Sequence, residues 1–336
     1  MPESSCAEKQ VQAATIGGLA RQAIASACAQ AEAIAAPGEV HSAFDKAWNL
    51  RLLPGSLISV VQHDVGCGPL FVVLTPDDSA ILHACRPERG VPVRVRAQVL
   101  MVQTDAGHWL RIDLGSASNW WTPKHVANAV PPARLAENLE HAAAWLYAQQ
   151  LLGGLCSFAP GKAGKLGITP ISRAGERALA ALEGAWRAVD SGDVSAAVEH
   201  LLTLVGLGPG LTPSGDDMLV GWFGALSLAE ASYGGGWPWL GELQRGLAEG
   251  SQAGRTTELS QQWLNAAFVG QVPQRLSDVL CSLLATGPDD KTQGERKLET
   301  ALSELTKLGA TSGVDALAGG WLALSALLKA KGALAV

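Results

Sequence analysis

The stretch VPVRVRAQVLMVQ (residues 91–103) decides the class of the front half of the chain. Its opening alternates, so in an extended conformation Val93 and Val95 point to one side and Arg94 and Arg96 to the other, as in a half-buried antiparallel strand. The two arginines read as a solvated sheet face. Around it, SLISVVQ (56–62), LFVVLTP (70–76), AILHACR (80–86) and WLRIDL (109–114) are further short apolar and β-branched runs broken by Gly, Pro and Asp. A β-rich module of about five strands is expected over residues 55–113.

Upstream, residues 8–35 are Ala-rich with few breakers and read as one helix, kinked at Gly17-Gly18 and ended by Pro37-Gly38. Downstream of Trp120-Trp121-Thr122-Pro123 the pattern turns helical and stays so. Helices are expected over 132–152, 172–190, 194–205, 216–231, 240–249, 258–268, 273–285 and 291–308. Residues 153–169 lack a period and read as a long loop, whose Lys162 and Lys165 are solvated or touch substrate. The expected fold is α+β, a small barrel-like or sandwich module followed by a mostly α-helical domain. Its parts are an N-terminal helix (1–36), the β-rich module (37–125) and the helical domain (126–336).

With 336 residues, 48% of them hydrophobic and 17% charged, the chain can bury a large core, and its composition is not that of a disordered protein. A net charge of −6 without any Lys/Arg cluster argues against nucleic-acid binding. The longest apolar stretch, residues 316–328, gives about 20 Å of helix against the roughly 30 Å of a bilayer core, so no membrane span is expected. The N-terminus lacks the basic and apolar regions of a secretory signal. Six isolated cysteines, with no C-x-x-C pair, fit reduced thiols in the cytoplasm.

The chemistry concentrates at VGLGPGLTPSGDD (205–217), where Gly206, Gly208, Gly210 and Gly215 surround Pro209 and Pro213 ahead of an apolar helix. Thr212 or Ser214 can cap that helix, Asp216 and Asp217 fall in its first turn, and several backbone N–H groups are left for a phosphate or carboxylate. The loop lacks the lysine of a P-loop, and the helical residues before it exclude the dinucleotide fingerprint. Two adjacent acids beside an anion call for a hard cation, so Mg²⁺ on Asp217 and Asp216 is expected. An ordinary interhelical connection would look similar.

An internal echo adds weight to the ligand reading. Ser214-Gly215-Asp216-Asp217-Met218-Leu219-Val220-Gly221 recurs as Ser312-Gly313-Val314-Asp315-Ala316-Leu317-Ala318-Gly319, preserving S-G-x-D-x-L-x-G. Glycines inside both helices imply close packing of one on the other, which would bring both Ser-Gly-x-Asp starts to a single cleft. In RTTELS (255–260), Thr256 or Thr257 can cap a helix and leave Arg255 as a bidentate anion donor. No pair among the seven histidines has the i, i+4 spacing of a helical metal site. His41, beside Ser42 and Asn49, is the only one in a polar cluster. No G-x-S-x-G elbow or activated thiol is visible, and Trp145, Trp186, Trp222, Trp263 and Trp321 read as core.

GLGPGLTPSGDD with the following LVG, RTTELS, and the late TSGVDALAG together resemble a bacterial family, long carried as a domain of unknown function, that includes the AllH-type subunit of oxamate carbamoyltransferase. The resemblance implies a cytoplasmic transferase complex with AllF-type and AllG-type subunits in allantoin (purine) breakdown. There, oxalurate and phosphate are interconverted with oxamate and carbamoyl phosphate. It carries ligand-binding roles onto Gly206, Gly208, Gly210, Thr212, Ser214, Gly215, Thr256, Ser312 and Gly313. Catalytic roles go to Asp217, Arg255 and Asp315, and the metal role to Asp216 and Asp217. Two alternatives stay open: a stand-alone Mg²⁺-dependent enzyme on a phosphate ester or ADP-ribose-like substrate, and a non-catalytic structural subunit.

Overall fold

A computed structural model describes residues 9–30, 36–53, 55–96, 98–104, 107–160, 166–251, 254–285 and 291–330, in two compact units, Met1–Thr122 and Pro123–Val336. In the first unit the elements run β1 (Gln10–Gly17), α1 (Gly18–Gln30), β2 (Ala36–Ala43), β3 (Ala47–Leu52), β4 (Ser56–Val61), β5 (Phe71–Leu74), α2 (Ile81–Ala84), β6 (Pro92–Arg96), β7 (Val99–Gln103), β8 (Trp109–Asp113) and β9 (Ser118–Trp120). The sheet order is β5-β4-β3-β2-β6-β7-β8-β1-β9, and β1 also pairs with β5 through Ala13↔Leu74 and Ile16↔Val72. That pairing closes eight strands into a barrel, with β9 extending the edge of β1 beyond β8.

Alternation fills the barrel. In β6, Val93 and Val95 are buried while Pro92, Arg94 and Arg96 are exposed, and Arg94 lies over the Trp109 ring at 4.7 Å. The inward residues Val40, Trp48, Leu50, Ile58, Val72, Val95, Leu100 and Ile112 share one core with Ala20, Ile24 and Ala27 of α1. The helix packs against β1, β2, β3, β4 and β6, so one helix serves strands on several sides of the wall.

Two expectations for this unit are corrected. The N-terminal helix does not begin near residue 8: residues 10–17 form β1, where Val11 and Ala13 are buried between exposed Gln10 and Gln12, and α1 starts at Gly18. Non-local pairing overrides the helical propensity of an Ala-rich stretch. AILHACR is not a strand, because Ile81, Leu82 and Cys85 are buried at helical spacing in and after α2, and Trp48 Nε1–H donates to the Leu82 carbonyl at 3.2 Å. The polar segment around His41 lies in the β2–β3 hairpin. There Ser59 Oγ donates to Asn49 Oδ1 at 2.7 Å, Asn49 Nδ2 donates to Ser42 Oγ at 2.9 Å, and His41 Nδ1 is 3.1 Å from that hydroxyl.

The second unit contains α3 (Pro132–Ala148), β10 (Cys156–Pro160), β11 (Leu166–Pro170), α4 (Arg173–Asp190), α5 (Val194–Leu202), α6 (Ser214–Ser232), α7 (Pro238–Gly250), α8 (Glu258–Ala267), α9 (Gln274–Leu284), α10 (Lys291–Leu305) and α11 (Ser312–Lys329). Helix α6 is apolar almost all round and forms the centre of the unit with α11, flanked by α8 and α9. Trp222 is buried, while Trp145, Trp186, Trp263 and Trp321 pack partly buried against the same core.

The expected loop over 153–169 is instead a hairpin, with register Ser157↔Thr169 and Phe158↔Ile168. Cys156 and Phe158 point inward and Phe158 meets Trp321 edge to face, so tertiary packing supplies what the local sequence does not advertise. Lys162 and Lys165 lie outside the described residues.

Candidate functional site

Helices α6 and α11 cross at their glycines. A Cβ on Gly221 would lie 1.7 Å from the Ala316 carbonyl oxygen, and one on Gly319 would lie 1.9 Å from that of Met218. Met218 and Ala316 occupy the same place in the two copies of S-G-x-D-x-L-x-G, so each copy presents its glycine to the same position of the other. The helix starts repeat the reciprocity. Ser214 hydrogen-bonds Asp315 and Ser312 hydrogen-bonds Asp217, and Gly215 N–H donates to Leu207 O at 2.8 Å as Gly313 N–H does to Leu308 O at 3.0 Å. These are the self-complementary contacts of an approximate two-fold axis inside one chain. Both Ser-Gly-x-Asp starts therefore stand at one place, with the Thr212 and Ser312 hydroxyls 3.2 Å apart.

The third motif joins them. Thr257 caps α8, its hydroxyl accepting from Ser260 N–H at 3.1 Å and donating to the Leu211 carbonyl, while the Thr256 hydroxyl donates to Asp216 Oδ2. Arg255 precedes them with an exposed side chain, and its carbonyl oxygen would lie 2.0 Å from a Cβ on Gly206. Gly206, Gly208 and Gly210 have φ of 76°, 119° and 99°, which is why the loop needs glycine there.

The helix-start amides are arranged differently from the expectation. The N-cap of α6 is Pro213, with no side-chain cap from Thr212, and Ser214 is already the first helical residue. Asp216 and Asp217 N–H donate to the Pro213 carbonyl at 2.9 and 3.1 Å, and Gly206 N–H donates to Asp216 Oδ1 at 2.8 Å. Those amides and that of Gly215 are engaged inside the fold. The N–H groups of Gly208, Gly210, Leu211 and Thr212 have no hydrogen-bond partner among the described residues, and Gly208, Gly210 and Leu211 are exposed. The unengaged amides thus lie at the loop tip rather than at the helix mouth.

The three aspartates differ in what they touch. Asp216, 0% exposed, accepts from Gly206 N–H, Thr256 and Ser260, the last at 2.6 Å, and so ties the loop to α8; burial raises its pKa against those three donors. Asp315, also 0% exposed, accepts from Gly154 N–H at 2.9 Å on each oxygen, from Leu155 N–H at 3.4 Å, and from Ser214 and Thr311; burial again raises its pKa. Among the described residues, Asp217 has Ser312 alone. Its Oδ2 is closed to solvent with no partner, and burial, reinforced by Asp315 and Asp216, pushes its pKa up to about 8.

Asp216 and Asp217 thus differ in their partners: one carboxylate is saturated by protein donors and an oxygen of the other is left over. Among the described residues, no group of three or more His, Cys, Asp and Glu side chains is arranged to hold a metal ion. Gly154 and Leu155, which bind Asp315, were not among the candidates. The Gly-Gly pair at 153–154 was their one local signal, since a Cβ on Gly154 would lie 2.1 Å from Ser214 Oγ.

Comparison with known families meets this geometry directly. The family model described as oxamate carbamoyltransferase subunit AllH matches residues 204–324, and that of the AllH family N-terminal domain matches residues 12–119. The chain belongs to the AllH family. The first AllH match includes the Gly-rich loop, Arg255 and both Ser-Gly-x-Asp starts, and the second runs from β1 to β9. No curated protein and no solved structure matches the chain. Among the described residues of this AllH-family chain, no helix is long and apolar enough to cross a membrane; residues 316–328 form part of α11, which packs on α6.

Proposed function

We propose that this chain is the AllH-type subunit of an oxamate carbamoyltransferase assembly with AllF-type and AllG-type partners, and that it holds a small anionic substrate where α6 and α11 begin. The observation that carries the reading is the convergence of three separate sequence motifs, through the Thr212–Ser312, Thr256–Asp216 and Thr257–Leu211 contacts. In the reaction, the amide nitrogen of oxamate forms a bond to the carbamoyl carbon, loses a proton and releases phosphate. Such a transfer needs positioning and charge stabilisation more than covalent help from the protein. The free amides of Gly208, Gly210, Leu211 and Thr212 and the exposed guanidinium of Arg255 suit the anionic end of a substrate.

A non-catalytic role is favoured by one observation, the engagement of the Gly206, Gly215, Asp216 and Asp217 amides within the fold. For a Mg²⁺-dependent reading, Asp217 is the one uncommitted carboxylate of the three. The deciding experiment is a thermal-shift series on the purified chain, alone and in its assembly, with phosphate, carbamoyl phosphate and oxamate, with and without Mg²⁺. Stabilisation by at least one of them, lost in Arg255→Ala, is expected. An assembly whose activity and ligand response are unchanged in both Arg255→Ala and Asp217→Asn would make the subunit structural.

A further inference from the structure

The internal two-fold gives Asp217 and Asp315 the same place in two equivalent helix starts, each bonded to the serine of the other copy. Their remaining donors differ. Asp315 is faced by the backbone amides of Gly154 and Leu155, with Gly154 N–H 2.9 Å from both carboxylate oxygens. Among the described residues no donor takes that place at Asp217, and its Oδ2 is without a partner. Asp315 is fully buried, whereas Asp217 keeps part of its surface exposed although its Oδ2 is closed to solvent. Leaving a buried carboxyl oxygen unpaired is costly, a cost a ligand donor removes.

We propose that Asp217 is a specificity-determining residue that accepts the N–H of a carboxamide-type ligand, in the position that the Gly154 and Leu155 amides hold at Asp315. The Gly154–Leu155 segment is in effect the chain's own copy of the ligand group: a planar amide presented to an aspartate beside a serine hydroxyl. A plain carboxylate has no such donor. The raised pKa of Asp217 fits the same partner, because a protonated carboxyl can also donate to the amide oxygen while accepting its N–H. This deepens the small-anion reading above by assigning the uncharged end of the substrate to Asp217 and leaving the charged end to the loop tip and Arg255.

Three small ligands of similar size separate the two claims by isothermal titration of the full chain or its assembly. Oxamate carries a carboxamide and a carboxylate, pyruvate replaces the NH₂ with CH₃ at the same charge, and oxamide keeps the carboxamide but has no charge. Oxamate is expected to bind at least about 10-fold more tightly than pyruvate, because pyruvate leaves the buried acceptor unpaired, and Asp217→Ala should bring the ratio to near one. Equal affinity for oxamate and pyruvate in the unsubstituted protein overturns the assignment of Asp217 while leaving the anion site intact. Oxamide binding as well as oxamate, with pyruvate inert and Asp217→Ala removing both, supports the assignment and overturns the anionic reading. No binding of any of the three overturns both.

Discussion

Gly221 and Gly319 hold α6 and α11 in backbone contact, each lying under a carbonyl of the opposite helix at a distance that leaves no room for a methyl group. Because these contacts are reciprocal, the same crossing that fixes the helices also fixes the two Ser-Gly-x-Asp starts beside each other.

Gly221→Ala or Gly319→Ala therefore acts on fold and site together. A Cβ at 1.7 or 1.9 Å from a backbone oxygen cannot be relieved by a side-chain rotation, so the helices must separate. The expected loss is at least about 3 kcal/mol, at the upper end of overpacking costs. Urea unfolding followed by far-UV circular dichroism reads it. A variant within 1 kcal/mol of the parent, by about the usual precision of such measurements, would mean that the crossing is looser than described.

Asp216 is saturated by three protein donors, so its removal separates a structural role from ligand binding. Asp216→Ala leaves Gly206 N–H, the Thr256 hydroxyl and the buried Ser260 hydroxyl without their acceptor, at a cost of about 2–4 kcal/mol. Thr256→Val removes one donor from the same carboxylate and should cost about 1 kcal/mol. Since both act on one network, the double variant is expected to lose less than the sum, and an additive result would show the two residues to be uncoupled.

Gly154→Ala tests the other acid. Its new methyl would lie 2.1 Å from Ser214 Oγ and displace that hydroxyl from Asp315. A loss of about 2 kcal/mol is expected, part of which Ser214→Ala should restore by making room. If Gly154→Ala is no less stable than the parent, or if Ser214→Ala makes it worse, Gly154 does not seat against this pair.

What the sequence shows and hides follows from the range of the forces involved. The alternation of Val93, Arg94, Val95 and Arg96 is local and reads directly, and so does the S-G-x-D echo that pairs α6 with α11. Strand β1 does not, because its Ala and Gln residues favour a helix until β5 and β8 pair with it. The β10–β11 hairpin stays hidden for the same reason, its support being Phe158 against Trp321. At the site, motif residues identify which segments meet, but the occupation of the helix-start amides by the Pro213 and Leu207 carbonyls is a matter of three-dimensional geometry. Only that geometry divides Asp216, which is saturated, from its neighbour Asp217, which is not.

Asp217→Asn gives a stability signature with a definite sign. A buried carboxyl whose folded pKa is raised to about 8, from a model-peptide value of 3.8, favours folding in its protonated form. The native state then binds more protons than the unfolded chain between those pH values, so the contribution is complete below about pH 4 and is lost as pH rises towards 8. Asparagine is neutral throughout and lacks this loss, while Asp216 and Asp315 remain in both proteins. The melting temperature of Asp217→Asn should thus lie close to the parent's near pH 4, rise above it by at least about 5 °C by pH 8, and keep a constant gap beyond. Parallel pH profiles for the two proteins would show that Asp217 is solvated and paired like an ordinary surface acid, and would remove the orphaned carboxyl on which its assignment to a ligand amide depends.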